Sequence, residues 1–248
     1  ADIRYFVEKI KAGRIPDIVA FTRKGHELFL RIEESRKLTI ALLDGLSLGG
    51  GSELALACQA IVATPAGSMA FPETGIGIFP GLGGMLRMAR HVGPALAKYF
   101  AFTGAFINAA DALALGIVTK LVEPAGVDAV LQTLAAGAKP EKYALREIPE
   151  KFKPLAALFD TGKVAGLLAG KVPEGANAEL VGKVVKTLGY KAPLALRIAD
   201  EIVDRQAGLT MREAVEVELG RLPEIFATAD ALEGLSSAGR RRPEFKGK

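Results

Sequence analysis

The sequence predicts an α/β fold followed by a helical C-terminal region, and three observations predict it. An apolar run, Thr39-Ile40-Ala41-Leu42-Leu43, enters a glycine cluster at Gly49-Gly50-Gly51, and an apolar helical pattern, Leu54-Ala55-Leu56-Ala57-Cys58, leaves it. That order is strand, tight turn, helix. Two more runs of strand composition, residues 61–64 and 68–71, flank the turn Pro65-Ala66-Gly67. Beyond Pro124 the apolar residues recur at helical spacing.

Taken in order, residues 4–37 carry helical patterns. Tyr5, Phe6 and Ile10 share a face, as do Leu28, Phe29, Ile32 and Phe21, while Arg31, Glu33, Glu34, Arg36 and Lys37 read as the solvated side. Pro16 interrupts the middle. After the strands a helix begins at Gly84, and Pro94 suits the first turn of a helix running through Phe100. Asn108 is placed to cap residues 109–115, Gly116 to stop them, and residues 117–122 form a short last strand. Helices are expected at 127–136, 154–169, 178–188, 194–207 and 211–226, with glycine and proline breaks between them. The chain therefore divides into a core, residues 1–125, and a helical region, residues 126–248. No internal repeat is visible.

Hydrophobic residues make up 50% of the 248 and charged residues 24%, an ordinary globular balance. No apolar run reaches membrane-spanning length and the chain opens on no signal segment, so no membrane partner is expected. The one cysteine, Cys58, excludes an internal disulfide framework and reads as a small buried hydrophobe, which favours a cytoplasmic location. A net charge of +4 suits an anionic ligand. With no tryptophan and no nucleic-acid-binding motif, no nucleic acid partner is expected. His26 and His91 sit among charged residues, are expected to be exposed, and form no metal-ligand spacing.

Residues 42–84 hold the candidate site. Glu53 follows the glycine triplet and Ser52; Glu73 precedes Gly75, Gly77, Gly81, Gly83 and Gly84. Glycines at such a turn allow positive φ and close approach of a ligand. The first N–H groups of the following helix lack intrahelical partners and can stabilise an anion. The spacing is neither G-x-G-x-x-G in register nor a P-loop. On spacing alone the turns serve a ligand or merely the backbone, and the glutamates serve acid–base chemistry, surface ion pairs or caps.

DGLSLGGGSELALACQAIVAT followed by FPETGIGIFPGLGGMLRMARHVG resembles the core of the crotonase superfamily, and most of all its enoyl-CoA hydratases. The likeness continues through Thr103-Gly104, Asn108-Ala109-Ala110-Asp111-Ala112 and Leu115-Gly116-Ile117-Val118, and is clear from about residue 39 to residue 122. It implies a crotonase-type spiral of ββα units, with the helical region after it. Ala1-Asp2-Ile3 resembles the family's Gly-Ala-Asp motif, so the chain is expected to hold only the C-terminal part of the spiral, without its first strands. In this it is similar to the hydratase half of fused 3-hydroxyacyl-CoA dehydrogenase/enoyl-CoA hydratase proteins. Residues 140–190 look like an insertion relative to a simple hydratase, and packing or an interface is the expected role. The final Arg240-Arg241-Arg242-Pro243 resembles the family's C-terminal signature but departs just before it, where Ser236-Ser237-Ala238-Gly239 replaces an aromatic residue and a glutamate-lysine pair.

What the resemblance implies chemically is addition of water across the C2=C3 bond of enoyl-CoA thioesters in fatty acid β-oxidation. Charge building on the thioester oxygen needs fixed donors, water needs a base, and C2 needs an acid. By resemblance Glu53 and Glu73 are the catalytic carboxylates. The sequence leaves open which of them is base and which acid; Glu53 sits in a first helical turn, where the dipole favours the ionised form, and that tilts the reading towards Glu53 as base and Glu73 as main proton donor. The Gly50 and Ala1 N–H groups are the expected oxyanion donors, although Ala1 as a free terminus would be a mobile amine. Gly49, Gly51, Gly81, Arg240 and Arg241 are the expected substrate contacts. No cofactor is implied, since coenzyme A is part of the substrate, and trimers or dimers of trimers are the family's usual assemblies. Two alternatives stay open: an enoyl-CoA isomerase of the same fold, which needs only the carboxylate at Glu73, and a non-catalytic fragment of a bifunctional dehydrogenase/hydratase.

Overall fold

The computed structural model describes residues 2–137, 139–143 and 146–248. Two helices come first. Asp2 caps α1 (Ile3–Lys11) by accepting from the Arg4 N–H, and α2 (Ile15–Glu33) takes Pro16 into its first turn, where the missing N–H costs nothing. The buried stripe of α2 is Ile18, Thr22, His26, Phe29 and Leu30. The expected apolar face is therefore corrected in part: Phe21 and Leu28 are exposed, and the i, i+4 row holds two polar side chains instead. Glu33 is likewise no solvated charge. It pairs with the fully buried Arg87 at 2.9 Å and with Lys142 at 2.7 Å, and accepts from the Tyr143 hydroxyl.

The spiral follows. Its elements are β1 (Ile40–Leu43), β2 (Leu46–Leu48), α3 (Gly50–Ala57), β3 (Ala60–Ala63), β4 (Ser68–Ala70), a 3-10 turn (Glu73–Ile76), α4 (Gly84–Thr103), β5 (Ile107–Asn108), α5 (Ala109–Ala114) and β6 (Lys120–Leu121). β1 and β2 enter different sheets, as do β3 and β4, whereas β4 and β5 share one. One sheet has the order β1-β3-β6, all parallel; the other has the order β2-β4-β5, with β2 and β4 parallel and β5 antiparallel. Each β-β-α turn thus lays one strand on each sheet and closes with a helix. Asn108 caps α5 through the Asp111 N–H, as its position predicts, and α4 breaks at Gly93 (φ 82°) so that Pro94 starts a fresh helical run.

The C-terminal helices are α6 (Val127–Ala136), α7 (Lys153–Leu158), α8 (Val164–Leu168), α9 (Ala178–Leu188), α10 (Pro193–Gln206), α11 (Met211–Leu219), α12 (Leu222–Phe226) and α13 (Ala229–Ser237). The single helix expected over 154–169 divides into α7 and α8, with Gly162 in the left-handed region (φ 82°) between them. The one expected over 211–226 divides into α11 and α12. Within the expected insertion, residues 140–190, Phe159 is fully buried with its ring 5.6 Å from Tyr99 and 6.0 Å from Phe102, and Val164, Leu167, Val181 and Val184 join the same core. Lys98, buried on α4, holds α10 through Asp200 at 2.6 Å and Asp204 at 2.7 Å. No helix among the described residues is long and apolar enough to cross a membrane.

Candidate active site

The glycine triplet sits at the mouth of α3 because β2 must turn sharply into it. Gly49 adopts φ 51°, ψ −120°, which L side chains avoid, and its N–H is tied to the Ala70 carbonyl at 2.9 Å. Ser52, wholly buried, pins the turn by donating to the Ser47 and Ala70 carbonyls. These bonds leave the Gly50 N–H at the helix start without an acceptor among the described residues. A cavity of ≈ 360 Å³ opens there, bordered by Gly49, Gly50, Gly51, Glu53, Glu73 and Gly81, with Ile3, Phe6, Phe21, Leu222 and Phe226 on its apolar wall.

The two glutamates meet on this cavity from different elements, Glu53 from the first turn of α3 and Glu73 from the 3-10 turn. Glu53 is 2% exposed; its Oε1 accepts from the Leu82 N–H at 2.8 Å and the Gly84 N–H at 2.9 Å, at the start of α4. Burial and the neighbouring Glu218 nevertheless push its carboxyl up from 4.5 to about 7. The expectation that the dipole of α3 keeps Glu53 readily ionised is corrected: desolvation outweighs the helix terminus. Glu73 is raised as well. Burial, then the charge of Glu53, raises it well above the usual carboxylate range, and its Oε2 is buried without a hydrogen-bond partner. The two carboxyls differ in their surroundings: N–H groups from residues 82 and 84 favour ionised Glu53, while Glu73 Oε2 has no partner.

Close approach explains two of the glycines. A Cβ on Gly49 would lie 2.4 Å from Glu73 Oε1, and one on Gly84 would lie 2.9 Å from both Glu53 Oε1 and the Phe71 ring. Gly49→Ala is therefore expected to displace the Glu73 carboxyl directly. An active-site group moved by about 1 Å loses roughly 10²-fold in rate. Turnover measured beside circular dichroism checks it: a folded Gly49→Ala protein with normal turnover would remove Glu73 from the chemistry.

The structure brings Gly49, Gly50, Gly51, Gly81, Glu53 and Glu73 together. It does not bring Arg240 or Arg241 to the cavity wall: Arg240 is exposed, and Arg241 makes a bidentate pair with Glu233 at 2.6 and 2.9 Å. Arg242 stacks over the Tyr190 ring at 3.7 Å. Ala1 lies outside the described residues; Ile3, two positions on, lines the cavity. Cys58 is half-buried at the C-cap of α3 rather than within the helix, and burial raises its thiol.

Both histidines correct the sequence reading. His91 is 5% exposed, and burial pulls it down to about 4. His26 is 1% exposed, with Nε2 3.2 Å from Glu218 Oε1 but without hydrogen-bond alignment. Glu218, fully buried on α11, was not singled out by the sequence either. The readable signal was the row Ile18, Thr22, His26, Leu30 at steps of four.

A family model described as enoyl-CoA hydratase/isomerase matches residues 1–245. The chain belongs to that family. A probable enoyl-CoA hydratase of Bacillus subtilis is 30% identical over 248 residues, covering 100% of this chain and 76% of that protein. A crotonyl-CoA hydratase of Syntrophomonas wolfei is 42% identical over 104 residues, 42% of this chain, and the match spans 40% of that relative's length. Among solved structures, an enoyl-CoA hydratase from Rhodobacter sphaeroides superposes with a TM-score of 0.80 at 25% identity, covering 100% of this chain and 74% of that one. The expected crotonase-type fold is thus the observed one, and family membership gives the paired sheets and the glycine turns a common origin.

Proposed function

We propose that this chain hydrates the C2=C3 double bond of an enoyl-CoA thioester. The observation that carries the proposal is the convergence of two buried carboxyls on one cavity, one held by two backbone N–H groups and one with an oxygen left unpartnered, beside the unused Gly50 N–H. In this reading the thioester oxygen accepts from Gly50, where negative charge gathers as the enolate forms. Glu53, the more readily ionised partner, takes a proton from water as the water oxygen bonds to C3. Glu73, held protonated by its surroundings, gives its proton to C2. One proton has then left water and one has reached carbon, and transfer from Glu53 to Glu73 restores the site. The apolar wall takes the acyl chain, and copies of the chain self-associate.

The test is hydration of crotonyl-CoA, followed by loss of the conjugated enoyl absorbance, beside a 3-enoyl-CoA substrate. Hydration of the first supports the proposal. Conversion of the 3-enoyl substrate without any hydration would give the site to the isomerase reading instead.

The basic run at residues 240–242 enters this reading as a surface that meets the CoA phosphates outside the cavity. Replacing Arg240 and Arg241 by alanine is expected to raise KM for crotonyl-CoA several-fold at low salt. The difference shrinks at physiological salt, where exposed charges are screened beyond about 8 Å. Equal KM values at low salt would assign the run to its contacts with Glu233 and Tyr190.

A further inference from the structure

Three consecutive backbone N–H groups open α4, and two carboxylates share them. Leu82 and Gly84 donate to Glu53; Gly83, between them, donates to Glu218 Oε1 at 2.8 Å. Glu218 comes from α11, is fully buried, and does not line the cavity. Gly83 sits in the left-handed region at φ 85°, and a Cβ there would strike Arg87 Nη1 at 2.2 Å, so the turn cannot relax by gaining a side chain. Arg87 grips the same turn from below through the Leu82 carbonyl at 3.2 Å.

We propose that Glu218 is a positioning residue of this site: its carboxylate fixes the middle N–H of the 82–84 turn, and through that turn it fixes the carboxyl of Glu53 and the charge that Glu53 faces. The proposal rests on the hydratase reading above. A neutral residue on α11 could hold the Gly83 N–H equally well. A buried carboxylate does more, because it sets a second negative charge behind the base. Facing it are His26 from α2, Glu53 from α3 and Glu73 from the 3-10 turn; α10 supplies the neutral Gln206, whose Nε2 lies 3.5 Å from Glu218 Oε2. Arg23 on α2 is engaged by Glu216 and Arg87 on α4 by Glu33, while His26 Nε2 lies 3.2 Å from Glu218 Oε1.

The sign follows from like-charge repulsion, which favours the protonated base. Replacing Glu218 by glutamine keeps an oxygen for Gly83 and removes the charge, so Glu53 ionises more easily. The acid limb of kcat/KM should move to lower pH by about one unit. Glu218→Asp keeps the charge and shortens the reach to Gly83; the limb should stay in place while kcat falls about tenfold through misplacement.

The experiment is the pH profile of crotonyl-CoA hydration for the wild-type chain and both variants, with circular dichroism confirming the fold. A limb shifted in Glu218→Gln and unshifted in Glu218→Asp supports the proposal. An unshifted limb in Glu218→Gln, or equal shifts in both, overturns it and leaves Glu218 a structural tie. If the glutamine variant does not fold, a shifted limb in the aspartate variant alone overturns it, and an unshifted limb with reduced kcat supports it. Wild-type hydration is read in the same assay, so failure of the hydratase reading shows separately, as no wild-type rate to compare.

Discussion

Glu73→Gln and Glu53→Gln each lower crotonyl-CoA hydration by about 10²–10⁴-fold, the usual worth of a positioned acid or base, and neither unfolds the chain. Both carboxyls are buried, so an isosteric amide fills the same space. Glutamine at 53 can still accept from Leu82 and Gly84, while glutamine at 73 meets no protein partner at the buried Oε2 position. Rates are read with saturating substrate and folding by far-ultraviolet circular dichroism. Near-normal hydration by Glu53→Gln would end the two-carboxylate mechanism and favour an isomerase, which needs only Glu73.

The second large effect is on stability, and its sign is opposite. A carboxyl raised from 4.5 to about 7 holds its proton more tightly folded than unfolded. The stability this group contributes is therefore fully present below about pH 4.5 and is lost as pH rises through about 7. That rise corresponds to about 3 kcal/mol for Glu53 alone. Glu53→Gln removes the titration, so it is expected to be more stable than wild type by about that amount at pH 8 and equal to it near pH 4.5. Urea unfolding at the two pH values decides. A gain of the same size at both would trace the effect to packing and remove the electrostatic account of Glu53.

What the sequence showed and hid divides along sequence separation. Glu53 and Glu73 were legible because each sits within a few residues of the glycines that aim it, and the turn chemistry is local. The α5 cap at Asn108 and the α6 and α9 helices were legible for the same reason. The three-residue β2 and two-residue β5 were not, because strands so short carry no alternation and exist only through β4 between them. His26 looked like a surface histidine among Arg23, Lys24 and Glu27; its burial depends on Glu218, on a helix far along the chain. Glu33 looked solvated for the same cause, since Arg87, Lys142 and Tyr143 come from other segments. The unlike surroundings of the two glutamates also required the fold, because the donors that favour ionised Glu53 belong to the start of α4.

The loop that follows Glu73 touches α13 with no side chain between them. A Cβ on Gly77 would fall 2.2 Å from the Asp230 carbonyl oxygen, and one on Gly234 would fall 2.3 Å from the Ile76 backbone. The segment bearing Glu73, the proposed proton donor, is thus seated by residues more than 150 positions later, so loop closure between distant parts of the chain precedes a finished cavity. In time rather than space, turnover is expected to return on refolding only once the final helix has docked against that loop.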